Sequence, residues 1–337
     1  MPWRKTTDPY LIWLSEVILQ QTQVIQGTPY FEKFVEAFPT IKHLAESSED
    51  QVLKLWQGLG YYSRARSLYE TGRHIYFNLQ GQFPKNYLGL IQLKGVGDYT
   101  ASAIASIAYN EPKAVVDGNV VRVISRLFKV EIAFDTAAGK NKIKQLAENL
   151  LDKTNPGQHN QAMMELGSLI CKPQNPLCAI CPVHTFCLSC LDNTFLNYPL
   201  KTKKVTVKEL FFNFMVLLDE NSKTWITRRI DKGIWKNMFT FPLIETEQLS
   251  KTEEILRNFS ETYGLKDFEI LETSTIKHSL SHRCILARFY LIRIKECDKI
   301  EKNNIFEVGI EELEKYYCIP KLISKYLEIK EVNNYFD

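Results

Sequence analysis

Hydrophobic residues recur at helical spacing through the first part of the chain and crowd into strand-like runs through much of the rest. Asp8-Pro9 predicts a helix start, because Asp can cap free N–H groups and Pro fits the first helical turn. Leu11, Leu14, Ile18 and Leu19 then share one helical face. Further helical patterns cover about 29–37, 49–57, 61–79, 98–109, 117–128, 140–152 and 160–170, separated by short Gly, Pro or Asn breaks. Residues 191–207, with Asn, Pro and a basic stretch at Lys201, Lys203 and Lys204, read as an exposed linker. Beyond Glu209 come strand-like runs at 210–218, 224–230, 238–244, 268–276 and 283–294, with a helix-like segment at 250–264. The pattern predicts an all-α domain over 1–190 and a smaller α+β domain over 208–337.

Length and composition narrow this only a little. A chain of 337 residues has room for two domains, and a net charge of +3 lends weak support to a nucleic-acid partner. No apolar run reaches the roughly 18 to 20 residues of a membrane span, and the N-terminus lacks an apolar signal core. A cytoplasmic location, where thiols stay reduced, is the expectation. Cysteine usage changes the picture more. Five of the eight cysteines lie between 171 and 190, while Cys284, Cys297 and Cys318 are scattered downstream. Clustering of this kind in a reducing compartment points to metal ligation and away from a disulfide framework.

The cluster reads C-x6-C-x2-C-x5-C at Cys171, Cys178, Cys181 and Cys187. Four thiolates suit either zinc or a [4Fe–4S] cluster. Cys187-x2-Cys190 offers the second CxxC of a zinc ribbon, but the long first spacing fits a ribbon poorly and favours iron–sulfur.

Three other places carry chemistry. Leu93-Lys94-Gly95-Val96-Gly97-Asp98 sets Gly95 and Gly97 between a short helix at about 86–92 and a longer one. That is either a plain helix–helix turn or a cradle for a DNA phosphate at a helix N-terminus. Asp117-Gly118-Asn119 follows the apolar run 114–116, so Asp117 is either an N-cap or a carboxylate set to stabilise a cationic sugar transition state. Glu16 lies on a mostly apolar helix; it is either solvated or desolvated, and if desolvated its raised pKa would make it a general acid. Gln20, Gln21 and Gln23 just beyond it are surface polar residues or a wedge for the gap left by an extruded base.

Taken in order, the glycine hairpin, VDGNVVR and the four-cysteine loop resemble the helix-hairpin-helix DNA glycosylases of the endonuclease III superfamily. PWR, WLSEVILQQTQV, GLGYYSRAR, NQAMMELG and the α+β tail are similar to the MutY-type adenine DNA glycosylases within it. The resemblance runs from Pro2 to about 190 and more loosely through the tail. It implies removal of adenine from double-stranded DNA carrying A:8-oxoguanine or A:G mispairs, by a monomer. Glu16 would protonate adenine N7, and Asp117 would stabilise the oxocarbenium ion, with Tyr99 and Asn119 supporting the pocket. Trp3, Arg4, Leu19 and Gln161 would surround the extruded adenine, and Gln21, Thr22 and Tyr61 would stand at the lesion. A [4Fe–4S] cluster would be bound by Cys171, Cys178, Cys181 and Cys187, leaving Cys190 free. The tail would be a Nudix-like domain reading 8-oxoguanine through Ser281 and His282. It has no glutamate-rich Nudix signature, so pyrophosphatase activity is not expected. Two departures stand out: Leu280 replaces a lesion-probing Phe, and Lys94 replaces a hairpin Pro, which is expected to add a phosphate contact.

Two rival readings remain. An endonuclease III-like glycosylase/lyase acting on oxidised pyrimidines needs an amine for a Schiff base, and its lysine position holds Tyr99 here. A non-catalytic DNA-binding or redox-sensing module would make Glu16 and Asp117 dispensable.

Overall fold

The computed structural model describes residues 2–202, 207–221, 223–263, 268–294 and 305–329. Lys203, Lys204, Cys297 and residues 330–337 lie outside them. Eleven α-helices come first: α1 (Pro9–Leu19), α2 (Val24–Ala37), α3 (Ile41–Glu46), α4 (Glu49–Leu55), α5 (Ser63–Arg73), α6 (Tyr87–Leu90), α7 (Asp98–Tyr109), α8 (Gly118–Leu127), α9 (Ala137–Leu150), α10 (Pro156–Glu165) and α11 (Leu188–Leu191). Strands then dominate: β1 (Lys208–Leu218), β2 (Lys223–Arg228), β3 (Phe239–Thr240), β4 (Leu243–Thr246), α12 (Thr252–Tyr263), β5 (Phe268–Leu280), β6 (Arg283–Ile294), β7 (Ile305–Gly309), α13 (Ile310–Tyr316) and α14 (Lys321–Leu327). No helix of the described residues is long and apolar enough to cross a membrane.

The chain divides into two compact units, Met1–Ser47 with Ser63–Lys204, and Ser48–Tyr62 with Val205–Asp337. In the first unit α1 starts as its sequence predicts: Pro9 opens the helix and the Asp8 carboxylate accepts from Tyr10 N–H at 2.8 Å. Ile12, Trp13, Leu14 and Ile18 are fully buried, each contributing roughly 1.5–3 kcal/mol. α7 packs against both α1 and α10. Most of its buried residues are small (Ala101, Ser102, Ala103, Ala105, Ser106), which lets those backbones approach closely. α2 begins at Val24 and carries Pro29 inside it, not at its start; Thr28 Oγ1 bonds the Val24 carbonyl at 2.8 Å beside that break. The run at 61–79 is α5 continued by a π-helical turn at His74–Asn78.

Ser48–Tyr62, though early in sequence, packs with the second unit, and its polar contacts show why. Asp50 pairs with Arg228 at 2.7 Å and Glu49 accepts from Asn237 at 2.8 Å. Lys54 Nζ donates to the carbonyls of Glu314 and Tyr317 at 2.6 and 2.9 Å. Within that unit one sheet runs β4-β1-β6-β5, with β1 and β6 parallel and the other pairs antiparallel; a second runs β3-β2-β7. β1 is buried continuously from Phe212 to Leu218, as a strand covered on both faces must be. Met215, Leu217, Tyr290 and Ile292 pack with Ile255 and Phe259 of α12, whereas Phe214, Phe289 and Tyr326 of α14 form a ladder of rings 4.8 and 4.1 Å apart. The β5–β6 hairpin turns at Ser281 and His282, both exposed.

Candidate active site

Three elements of the first unit bring the predicted chemistry together. Glu16 sits two-thirds of the way along α1 and is only 7% exposed. From the start of α7, 83 residues later, the Tyr99 hydroxyl donates to Glu16 Oε2 and also reaches Met164 Sδ of α10 at 3.7 Å. Burial raises the Glu16 pKa to about 7; the negative charge of Asp117 adds to the rise, while the Tyr99 hydrogen bond and Arg4 oppose it. Tyr99 itself is pushed well up, first by burial and then by Glu16 and Asp117. Glu16, Tyr99, Asp117 and Arg4 therefore share one electrostatic site.

Asp117 is an N-cap, one of the two readings its sequence allowed, and its second oxygen is held as well. It caps α8, its Oδ1 accepting from Val120 N–H at 2.7 Å, while Oδ2 accepts from the Asn119 amide at 2.7 Å. Both oxygens are held as acceptors, so the carboxylate has a fixed direction. The apolar run before it is pinned by Asn160, a residue sequence reading missed. This buried amide accepts from Val115 N–H at 3.0 Å and donates to Ser106 Oγ at 2.9 Å and the Lys113 carbonyl at 2.8 Å. A buried amide must find partners, but with Gln158, His159 and Gln161 beside it on α10 nothing in the spacing marked this one out.

Arg122 was missed as well. Its Nη2 donates to Asn119 Oδ1 at 2.9 Å and to the Gly167 carbonyl at 2.7 Å, and its Nε donates to the Cys171 carbonyl at 2.7 Å. A hydrogen-bonded path thus runs from Asp117 through Asn119 and Arg122 to the first cysteine of the loop. Gly167 lies in the π-helical turn Leu166–Ile170, pressed on Asn119: an added Cβ would stand 2.6 Å from Asn119 Cβ and 2.9 Å from its carbonyl carbon. Backbone cannot yield as a side-chain tip can, so Gly167→Ala is expected to displace Asn119. Single-turnover adenine release should fall at least about tenfold, the scale of a misplaced catalytic group; an unchanged rate would show that the Asn119 position does not matter.

The remaining predicted pocket residues are placed as follows. Arg4 pairs with Glu165, and Trp3 is buried against Phe31, their rings 5.0 Å apart. Leu19 covers Gly27. Gln161 is half-buried on α10, one turn before Met164 and Glu165 and on their face. α1 ends in Gln20, whose amide donates to Thr100 Oγ1 at 3.1 Å; Gln21 follows in the left-handed region with φ 57°, and Thr22 N–H closes the turn on the Leu19 carbonyl at 3.1 Å. Arg64 fixes this turn by donating to the carbonyls of Val17, Ile18 and Gln20 at 2.9, 3.3 and 2.6 Å. In the second unit Tyr61 also has a positive φ, 49°, and its hydroxyl hydrogen-bonds Ser281 Oγ across 220 residues of sequence. Left-handed backbone at non-glycine residues carries a cost that functional sites often accept. His282 is exposed, its carbonyl accepting from Lys208 N–H at 3.0 Å.

At the hairpin, Gly95 has φ +75° and a Cβ there would lie 2.5 Å from Ser67 Cβ, so glycine is required on both counts. Gly97 has φ −92° and no atom within 4 Å of its missing side chain; it leaves the face ahead of the α7 N-terminus open. Lys94 is ion-paired with Glu70, an arrangement in which its charge is already partnered.

Cys171, Cys178, Cys181, Cys187 and Cys190 line one cavity. Among the described residues no group of three or more side chains is set for a single metal ion. The donor set nonetheless fits a four-thiolate cluster. Burial first, and then Cys190, Cys171 and Cys187, push the Cys178 thiol up to about 11, so several thiolates can coexist here only around a cationic centre. Arg126, 2% exposed, stands by with Nη1 3.3 Å from Cys171 Sγ while bonding the carbonyls of Lys172 and Pro173.

Comparison with known proteins agrees with this geometry. Residues 14–164 match the HhH-GPD superfamily of base excision DNA repair proteins, and residues 213–328 match the NUDIX domain. An adenine DNA glycosylase of Buchnera aphidicola subsp. Schizaphis graminum is 36% identical over 282 residues, spanning 84% of this chain and 80% of that protein. Its counterpart from Buchnera aphidicola subsp. Acyrthosiphon pisum is 32% identical over 329 residues, 97% of this chain and 92% of its own. Among solved structures, a thermostable thymine-DNA glycosylase matches with a TM-score of 0.52 and 28% identity, covering 57% of this chain and 88% of that one.

Proposed function

The chain belongs to the adenine DNA glycosylases of the HhH-GPD superfamily, and from that premise we propose how it excises adenine and which mispairs it serves. It hydrolyses the N-glycosidic bond of mispaired adenine. Glu16 protonates adenine N7 as the bond to C1′ breaks, so the base leaves neutral. Asp117, held at the α8 N-cap, faces the positive charge that develops on the deoxyribose, and water then adds at C1′. The observation that carries this reading is the buried Glu16, tuned to about 7 and hydrogen-bonded by Tyr99 in the same field as Asp117. A desolvated acid beside a second carboxyl fixed by two hydrogen bonds is what acid-assisted departure from a cationic sugar requires.

Arg4 and Trp3 line the base side of the pocket with Leu19 and Gln161. The open hairpin at Gly95 and Gly97 receives a DNA phosphate at the start of α7. Gln21 and Thr22 fill the gap left by the extruded nucleotide. The Nudix-like unit reads 8-oxoguanine through Tyr61, Ser281 and His282, the first two of which already share a hydrogen bond. A [4Fe–4S] cluster held by Cys171, Cys178, Cys181 and Cys187 supplies a rigid core for the loop that Arg122 ties to Asn119.

The mispair preference is tested on duplexes with adenine opposite 8-oxoguanine, guanine or thymine, with and without alkali. Release is expected opposite 8-oxoguanine and guanine, with strand breaks appearing only after alkali, because the phenol of Tyr99 cannot form an imine. High-yield borohydride trapping, or cleavage without alkali, would instead support a lyase. Equal release opposite thymine would overturn the mispair assignment.

A further inference from the structure

The fifth cysteine of the loop is not accounted for by a four-ligand cluster. Cys190 lies in α11, which starts directly after Cys187, and Cys190 N–H bonds the Cys187 carbonyl at 2.9 Å. That single turn carries the Cys190 side chain into the cavity lined by the other four thiols, Cys178 among them. Packing alone does not explain the arrangement. Leu188 and Leu191 on the same turn are 47% and 68% exposed while the thiol points inward, the reverse of what burying apolar area would favour. The turn is further fixed by Leu191 N–H on the Cys187 carbonyl at 3.0 Å and Asn193 N–H on the Cys190 carbonyl at 3.2 Å.

We propose that Cys190 is a reserve ligand of the cluster site, able to take the position of Cys178. This rests on the reading of the loop as a [4Fe–4S] site. In the exchange the Cys190 sulfur would bind the iron that Cys178 gives up, and the Cys190 proton would go to the released Cys178 sulfur. One iron–sulfur bond forms as another breaks, and no electron moves. The site then holds its cluster through Cys171, Cys181 and Cys187 with either Cys178 or Cys190. Loss or alkylation of Cys178 is therefore tolerated, while loss of Cys171 is not.

The test is anaerobic purification of the full chain as wild type, Cys178→Ala, Cys190→Ala, Cys178→Ala/Cys190→Ala and Cys171→Ala, with iron and sulfide measured per chain. Wild type and the Cys178 and Cys190 single variants are expected to carry about four irons, and the double variant and Cys171→Ala fewer than about one. Alkylation of folded protein followed by peptide mass mapping gives a second readout: Cys190 should be labelled in wild type and protected in Cys178→Ala. A Cys178→Ala protein as iron-poor as Cys171→Ala, or a double variant as iron-rich as wild type, overturns the inference alone. Iron-free wild type overturns the cluster reading with it.

Discussion

Asp117→Asn is expected to slow single-turnover adenine release on the order of a thousandfold while lesion-duplex binding stays near wild type. The substitution is isosteric, and the Val120 N–H can still find an oxygen, so the α8 N-terminus remains capped. What disappears is the negative charge beside the developing oxocarbenium ion, an interaction made mainly in the transition state and therefore read in rate and not in affinity. The amide that replaces Oδ2 also faces the Asn119 Nδ2 donor, so that contact becomes repulsive and adds to the loss. Stopped reactions on an A:8-oxoguanine duplex, with affinity measured in parallel, separate the two effects. A rate within a few-fold of wild type would rule out electrostatic stabilisation by this residue and favour a non-catalytic module.

Glu16→Gln should produce opposite effects on activity and stability, both dependent on pH. In wild type the acid form is the proton donor, so adenine release should decline as pH rises through about 7. Glutamine can accept the Tyr99 hydrogen bond but cannot donate a proton to adenine; release should fall by roughly a hundredfold or more below pH 7, and the alkaline decline should vanish. Stability moves the other way. The unfolded glutamate titrates near 4.5 and the folded one near 7. Below 4.5 both states hold the proton and the folded state bears no cost. Between 4.5 and 7 the unfolded chain releases its proton first, so stability is lost as pH rises, and above 7 the buried charge exerts its whole penalty. Glu16→Gln removes that penalty and should be more stable than wild type at pH 8 by up to roughly 3 kcal/mol, with little difference near pH 4.5. Denaturant melts at the two pH values measure this. A gain of equal size at both would mean that Glu16 is not held uncharged by burial.

Much of the local structure was readable from neighbouring residues. Asp8-Pro9 starts α1 because a cap and a first-turn proline act within a few positions of each other. The run at 210–218, apolar but for Asn213, is the doubly covered β1, and its lack of alternation separates it from the strands of a half-exposed sheet. Asp117 was legible as a cap or a catalytic carboxylate; it is a cap, and capping uses one oxygen and leaves the other to Asn119. The resemblance, carried by motifs in fixed order, pointed to the family that the comparisons then matched.

Other features had no local signature. The spacing around α4 marks a helix but not that its charged face pairs with Arg228 and Asn237 of the second unit. Lys94 was read for a phosphate contact by its place in the hairpin; its ion pair with Glu70 of α5 was not visible in the spacing. Arg122 reads as an ordinary arginine on the exposed side of α8 until the π turn at Gly167 brings two carbonyls and Asn119 within its reach.

The caps and the hairpin glycine follow from chain chemistry alone, because each depends on residues within about one turn of one another, and the spacing of the thiols is read directly along the chain. The protonation of Glu16, the fixing of Asn119, the Tyr61–Ser281 contact and the entry of Cys190 into the thiol cavity were decided only when distant segments packed. Desolvation and hydrogen-bond geometry arise from what surrounds a group in space, and no spacing along the chain encodes that.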